Sequence, residues 1–218
     1  MKKPALILSL FLGLMLSTAY AQDFESTRQK AEAGDADAQV QLGNMYNSGE
    51  KDYGVPKNNT EALKWYKMAA EQGNAQGQND LGNMLREGEG APVNHEEAAR
   101  WYRLSADQGH ASAQNHLGWY YYTGEGVSKN DAEAVKWYKL AVVQGHAHSQ
   151  FNLGIMYENG EGVPQDAIMA YVWYSLALSH NGAAESRDRV KAGLSQEQLA
   201  KAEAIAARCL ESKYQDCK

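Results

Sequence analysis

Several residues in this 218-residue chain are of types that can do chemistry. Ser48-Gly49-Glu50-Lys51 matches the Ser-x-x-Lys of serine β-lactamases, in which a serine oxygen attacks a carbonyl. Gly88/Gly90, Gly124/Gly126 and Gly160/Gly162 are Gly-x-Gly turns, a pattern that can offer bare backbone N–H groups to a phosphate. His110, His146 and His148, with Asp107 or Glu158 as a third ligand, are residue types that hold metal. Asn58-Asn59-Thr60 reads as a glycosylation sequon.

Each meets an objection in the sequence itself. Neither Ser-Asp-Asn nor Lys-Thr-Gly occurs, and Ser48 falls on a widened loop rather than opening a buried helix, so coincidence is the better reading. The Gly-x-Gly pairs lack a following Lys-Ser/Thr and enclose Glu89, Glu125 and Glu161, whose charge repels phosphate. No residue near the histidines is placed by spacing as a third ligand, which favours solvated turn histidines. Asn58 is better used as a helix cap. No catalytic residue, metal or cofactor is expected.

Lys2 and Lys3, the apolar run 5–16 and the small-x-small site Ala19-Tyr20-Ala21 have the form of a signal peptide, with a mature start at Gln22. A run of this length falls short of the roughly 20 apolar residues that span a bilayer. No cysteine follows it, which argues against a lipoprotein, and no later segment is long and apolar enough to cross a membrane. The expected localisation is the periplasm or the exterior. Removing Lys2 and Lys3 leaves nineteen basic residues against 27 acidic ones, a net charge of −8. That balance argues against nucleic acid as a partner. The only cysteines are Cys209 and Cys217, and in an oxidising compartment a disulfide is the default. Eight residues of continuous helix would hold them about 12 Å apart, against the ~7 Å a bridge allows, so the chain must turn back after Leu210.

The chain also repeats. Trp65, Trp101, Trp137 and Trp173 are 36 residues apart, each followed by tyrosine. Gly43, Gly82, Gly118 and Gly154 form a second column. Each unit reads as a helix carrying A-x-x-Q-x-x-L-G (Ala111, Gln114, Leu117 and Gly118 in the third copy), a glycine turn, and a second helix. The second helix is capped by Asn58, Asn94, Asn130 or Asp166. Glu61, Glu97 and Glu133, three residues on, would complete a capping box, and Met169 in the fourth copy would not. The second helix ends at Gly73, Gly109 and Gly145, with Asn181 in the equivalent place.

These columns resemble the Sel-one-like repeat family, a relative of the tetratricopeptide repeats. The resemblance implies an all-α fold, a right-handed α/α superhelix of four helix-turn-helix repeats with the first helix of each pair on the concave face. It implies an adaptor or scaffold for protein complexes, often in the bacterial envelope. A secreted, cysteine-rich branch is linked to penicillin binding and β-lactamase activity, but its cysteine pair in each repeat is missing here. The expected organisation is a signal peptide (1–21), a capping helix (22–35) and repeats at 36–74, 75–110, 111–146 and 147–182. Closing helices and a tail follow over 183–218. Ser195 with Gln198 would open the last helix, with Leu199, Ala202, Ile205, Ala206 and Leu210 as its apolar stripe.

The four copies serve as one another's controls. First-helix positions filled alike in every copy should be core, and those that vary should face solvent or a partner. Variation recurs every three to four residues, one face of a helix. That face carries Asp37, Gln41, Asn44 and Asn47, then Gln76, Asp80, Asn83 and Arg86, in the first two copies. The third copy shows Ser112, His116, Trp119 and Tyr122, and the fourth His148, Phe151/Asn152, Ile155 and Glu158. In "HLGWYYYTGEG" (116–126), Tyr120 and Tyr121 fall in packing columns, whereas no sister copy calls for an aromatic at Trp119 or Tyr122. Two readings stay open: an apolar partner-binding patch of Trp119, Tyr122, Phe151 and Ile155, flanked by His116, Asp80 and Arg86, or ordinary core covered by neighbouring helices. The expected partner is a protein or peptide.

Overall fold

Every regular element in the computed structural model is an α-helix among the described residues, 22–49 and 54–217. They are α1 (22–32), α2 (Ala36–Ser48), α3 (Asn59–Glu71), α4 (Ala75–Glu87), α5 (His95–Asp107), α6 (Ala111–Thr123), α7 (Asp131–Val142), α8 (Ala147–Asn159), α9 (Ala167–Leu176), α10 (Ala183–Lys191) and α11 (Gln196–Glu211). The expected signal segment lies outside the described residues, as do Glu50 and Lys51 of the Ser-x-x-Lys match. The chain divides into two compact units, one ending at Asn94 and one beginning at His95. The first contains α1–α4 and the second α5–α11.

Caps set the helix starts. Asn58, Asn130 and Asp166 accept from the backbone N–H three residues on, at 3.1, 3.1 and 3.0 Å. The expected glutamate arms do not close on these caps. The N–H groups they would need are already donated to the preceding helix, Asn58 to Tyr46 O (2.7 Å) and Asn130 to Tyr121 O (2.8 Å). Glu61 and Glu133 pair with Lys64 and Lys136 instead. The reciprocal box does form in α11, between Ser195 and Gln198.

The Gly-x-Gly turns are packing devices. Gly124 ends α6 in the left-handed conformation (φ 81°), its N–H donating to Tyr120 O. Two residues on, a Cβ on Gly126 would stand 2.2 Å from the His95 carbonyl oxygen. The second glycine therefore lets the turn rest on the first residue of α5. Gly90 sits on Asn59 and Gly162 on Asp131 in the same way.

The deepest contact joins the two helices of a pair. A Cβ on Gly43 would lie 2.6 Å from the Tyr66 ring, on Gly118 2.7 Å from Tyr138, and on Gly154 2.6 Å from Tyr174. Tyr66, Tyr102, Tyr138 and Tyr174 are all buried, whereas of the recurring tryptophans Trp65 and Trp173 are buried and Trp101 and Trp137 only half-buried. Tyrosine rather than tryptophan is the constant core residue. The glutamine column is buried too, and Gln39 and Gln114 are bonded at both ends, whereas the Gln150 amide nitrogen is buried without a partner among the described residues. Gln39 donates to Ala31 O (3.0 Å) and accepts from Gln72 (2.7 Å). Gln114 donates to Ala106 O (3.2 Å) and accepts from Gln144 (2.9 Å). Each ties the start of one helix pair to the end of the preceding helix.

The C-terminal end departs from the repeat. Asn181 does not act as the stop: α9 ends at Leu176, and the left-handed position falls on Gly182 (φ 89°), where the chain enters α10. In α11, Ala202, Ile205 and Cys209 take the inward positions, and Leu210 is 48% exposed instead of closing the stripe. One residue past a buried Cys209, position 210 points away from the core. The chain does reverse after α11, through left-handed Lys213 and Tyr214 (φ 51° and 66°), with Tyr214 N–H donating to Cys209 O at 2.7 Å. That reversal brings the Cα atoms of Cys209 and Cys217 to 4.6 Å, with their sulfurs at bonding distance.

Alanine normally stabilises a helix interior over glycine by up to about 1 kcal/mol, so Gly118→Ala discriminates. Against Tyr138 the added methyl overpacks, and we expect a loss of about 1–3 kcal/mol, read as a fall in the thermal midpoint by circular dichroism. A gain in stability would contradict the contact.

Candidate functional site

The contact of tyrosine on glycine determines what reaches the variable face of the first helices. Each ring crosses its glycine, and its hydroxyl emerges beside residues one and four positions further along that helix. Tyr66 donates to Asn44 Oδ1 at 2.7 Å, and Tyr174 to Glu158 Oε2 at 2.6 Å. Burial raises both hydroxyl pKa values, helped by Asp80 for Tyr66 and by Glu158 for Tyr174. Variable residues at these two positions thus sit over a phenol that stays neutral.

In the first unit this face is polar and bonded within itself. Asp80, half-buried, accepts from Gln76 at 2.9 Å and from Asn79 at 3.0 Å. Arg86, also half-buried, pairs with its neighbour Glu87. Asn74 donates to Asp37 at 2.7 Å. Ser48 donates its hydroxyl to Asn44 O at 2.8 Å on the last turn of α2.

In the second unit the face is aromatic and partly roofed. Phe151 stacks on His180, ring centroids 3.9 Å apart and planes 12° from parallel, and lies 5.3 Å from the Tyr174 ring. Arg189 on α10 reaches back to Glu158 through contacts of 2.8–3.2 Å. Partial burial opposes ionisation of Glu158, but the bonds from Arg189 and Tyr174 prevail and hold its pKa below the usual carboxylate value. The segment after α9 therefore covers Phe151 and Glu158 of the fourth copy's face. Tyr122 is half-buried, with Lys129 Nζ 5.2 Å from its ring centroid, and burial and the nearby Glu161 carboxylate raise its hydroxyl pKa. Tyr122, Phe151 and Ile155 pack at the margin of this unit's core. Trp119 is half-buried, edge-on to Tyr120 at 5.6 Å, and His116, also half-buried, lies 4.7 Å from the Tyr102 ring.

The turn histidines have a structural task. The Nδ1 atoms of His110 and His146 each accept a backbone N–H, from Ala113 and Ser149, both at 3.3 Å. They cap α6 and α8 as Asp35 and Asn74 cap α2 and α4. Solvated turn histidines is thus corrected to helix-capping histidines. Sequence reasoning missed His180 and Arg189 as neighbours of the face, because they lie in a segment with no sister copy to compare.

The Sel1 repeat model matches residues 36–74, 75–110, 111–146 and 147–192. The chain belongs to the Sel1 repeat family. Among solved structures it is similar to a protective antigen present in uropathogenic Escherichia coli strains and displaying an SLR fold. That match has a TM-score of 0.82 and 31% identity over 93% of this chain and 46% of the antigen. It is also similar to a Sel1 repeat protein from Oxalobacter formigenes, with a TM-score of 0.71 and 30% identity over 94% of this chain and 83% of that one. The chain spans about half the length of the E. coli antigen. Comparison with curated proteins returns no match. The fold class is the all-α helical-repeat solenoid. Sel1 repeats commonly mediate protein–protein interaction and generally act as non-catalytic scaffolds. No described helix of this Sel1 repeat protein is long and apolar enough to cross a membrane.

The cap at His146 makes stability depend on pH. Burial, with lesser contributions from the charges of His148 and His110, lowers its pKa to about 4 from an ordinary 6.5. A base whose pKa falls on folding stabilises fully above its unfolded value and loses that contribution as pH drops from 6.5 toward 4. His146→Asn copies the Asn74 cap without the titration. We expect the variant to match the parent at pH 7 and to melt higher than it at pH 5, by calorimetry. Parallel pH profiles would contradict this assignment.

Proposed function

We propose that this Sel1 repeat protein is an exported, non-catalytic adaptor that holds a protein or peptide on the first-helix face of its second unit, with Trp119 as the anchor. The observation that carries the reading is the half-buried indole at a position where the sister copies have Asn44, Asn83 and Ile155. The scaffold asks for no aromatic there, and a partly exposed tryptophan is the residue type that most often dominates a protein interface. Ile155, on the equivalent position of α8, and His116, one turn before Trp119, flank it. Beside it, Tyr122 is engaged by Lys129 and Phe151 by His180. Export is supported by the Lys2-Lys3 start, the apolar run and Ala19-Tyr20-Ala21. The close Cys209–Cys217 pair suits an oxidising compartment.

Cross-linking in the envelope of the source cell, followed by identification of the joined protein, tests the reading against a Trp119→Ala, Ile155→Ala variant. Affinity for the partner so identified should fall about tenfold or more while the far-ultraviolet spectrum is unchanged. Undiminished binding by a folded variant would refute the assignment of this face. Nitrocefin should show no turnover above buffer, and turnover abolished by Ser48→Ala would replace the adaptor with an enzyme.

A further inference from the structure

The tail that follows α11 walls two cavities that the adaptor reading does not use. Its inward side chains, Tyr214 and Cys217, are half-buried and pack at the margin of the second unit's core. The Tyr214 ring lies against the end of α7, where a Cβ added to Gly145 would stand 3.4 Å from it. Between the tail and the helices is a cavity of about 210 Å³, bounded by Val142 and Val143 of α7, Met169 and Trp173 of α9, and Tyr214 and Cys217. A second cavity, of about 330 Å³, lies among Met169, Ile205 of α11 and the same Cys217.

The tail is held mainly by one covalent bond. Its hydrogen bonds run within itself or to the last turn of α11: Tyr214 N–H to Cys209 O (2.7 Å), Ser212 Oγ to Cys209 O (3.0 Å) and Asp216 N–H to Ser212 Oγ (3.0 Å). Arg208 pairs with Asp216 at 3.3 Å, but both are exposed, and such pairs contribute little. The reversal passes through Lys213 and Tyr214, whose left-handed backbone (φ 51° and 66°) is unfavourable for any residue with a Cβ. Beyond the Tyr214 ring, the Cys209–Cys217 bond is therefore what keeps the tail against α7 and α9. Helix α11 has its own anchors in buried Ala202 and Ile205. The bond joins residues only eight apart, and a loop that short constrains the unfolded chain least, so the fold gains little from it.

We propose that Cys217 is a site of thiol–disulfide exchange and that its bond to Cys209 is a latch, opened by a dithiol. Cys209 is fully buried, whereas Cys217 is half-buried and lines both cavities, so an incoming thiolate meets the Cys217 sulfur first. Its attack forms a mixed disulfide at Cys217, breaks the bond to Cys209 and leaves the Cys209 sulfur with the electron pair. The second thiol of the reagent then displaces Cys217. The dithiol is oxidised to a disulfide by two electrons, and its two protons end on Cys209 and Cys217. With the latch open, the backbone at Lys213 and Tyr214 relaxes and the tail leaves. The two cavities then join as a groove between α7, α9 and α11. This device lies apart from the Trp119 face and does not depend on it.

The test is hydrogen exchange read by mass spectrometry, on protein purified without reductant, on the same protein after dithiothreitol, and on Cys217→Ser. In the last two samples the amides of Tyr214 and Asp216 should exchange at least about tenfold faster, while α11 stays protected and the circular dichroism is unchanged. Hydroxyl-radical labelling of Val143 and Met169 should rise in the same two samples. A brief pulse of glutathione should leave its adduct on Cys217. If Cys217→Ser is misfolded, the reduced parent protein decides the matter. Tail protection that survives reduction would overturn the proposal, because other contacts would then hold the tail. Loss of α11 protection on reduction would also overturn it, making the bond a staple of the fold. So would a glutathione adduct on Cys209, or two free thiols in the protein purified without reductant.

Discussion

A tyrosine ring packed against a helix position that has no side chain is the contact on which the rest of this molecule depends. Gly43, Gly118 and Gly154 leave room for the rings of Tyr66, Tyr138 and Tyr174 at separations where even a methyl group would collide. In these pairs the ring therefore packs directly against the facing helix backbone. Close packing of this kind tolerates neither a gap nor an extra carbon. Tryptophan, one position earlier, is under less demand, which is why its exposure varies from copy to copy while that of tyrosine does not. The same geometry directs each phenol toward the variable face, where Asn44 and Glu158 take up its hydrogen.

Polar groups hold the pairs in register. A buried glutamine amide is costly unless both its ends are bonded. Gln39 and Gln114 meet that requirement through a carbonyl in the preceding helix and a second glutamine 33 or 30 residues later in the chain. Such a bond specifies which turn of one helix meets which turn of the next, something apolar contact alone leaves loose. The cap residues act similarly. By donating its own N–H to a carbonyl of the first helix, Asn58 or Asn130 fixes where the second helix starts relative to the first. That long-range donation is also what removes the glutamate arm from the cap.

The repeat made much of this legible in the sequence. Column constancy identified the glycines, the tyrosines and the cap positions, because each reflects a demand renewed every 36 residues. It misjudged whatever depends on a partner far along the chain. The glutamate arms were a local expectation overruled by a carbonyl nine or twelve residues earlier. His110 and His146 lay in a column with Asn74, and the equivalence to a capping asparagine was the available signal for their role. The cover over Phe151 was not legible, since His180 and Arg189 belong to a segment with no copy elsewhere and no period to reveal it. Leu210 failed for a smaller reason: one residue past the inward Cys209, a helical stripe has already rotated away.

Two opposite departures from the repeat carry information about function. At Trp119 the side chain changes although the glycine–tyrosine contact beneath it does not, and that departure is the one the proposed partner face uses. At Leu104 and Leu140 the side chain stays apolar in every copy although the middle copies leave it uncovered. A residue kept only for folding would be buried, and one free to drift on a surface would by now be polar in some copies, as the first-helix face is at Asn44 and Asn83. The ends of the chain supply the control, since α1 and the closing helices show what satisfies that column when it is satisfied. Internal repetition thus distinguishes positions that vary without structural cause from positions that persist without structural reward, and in this chain the two kinds lie on different helices of the pair.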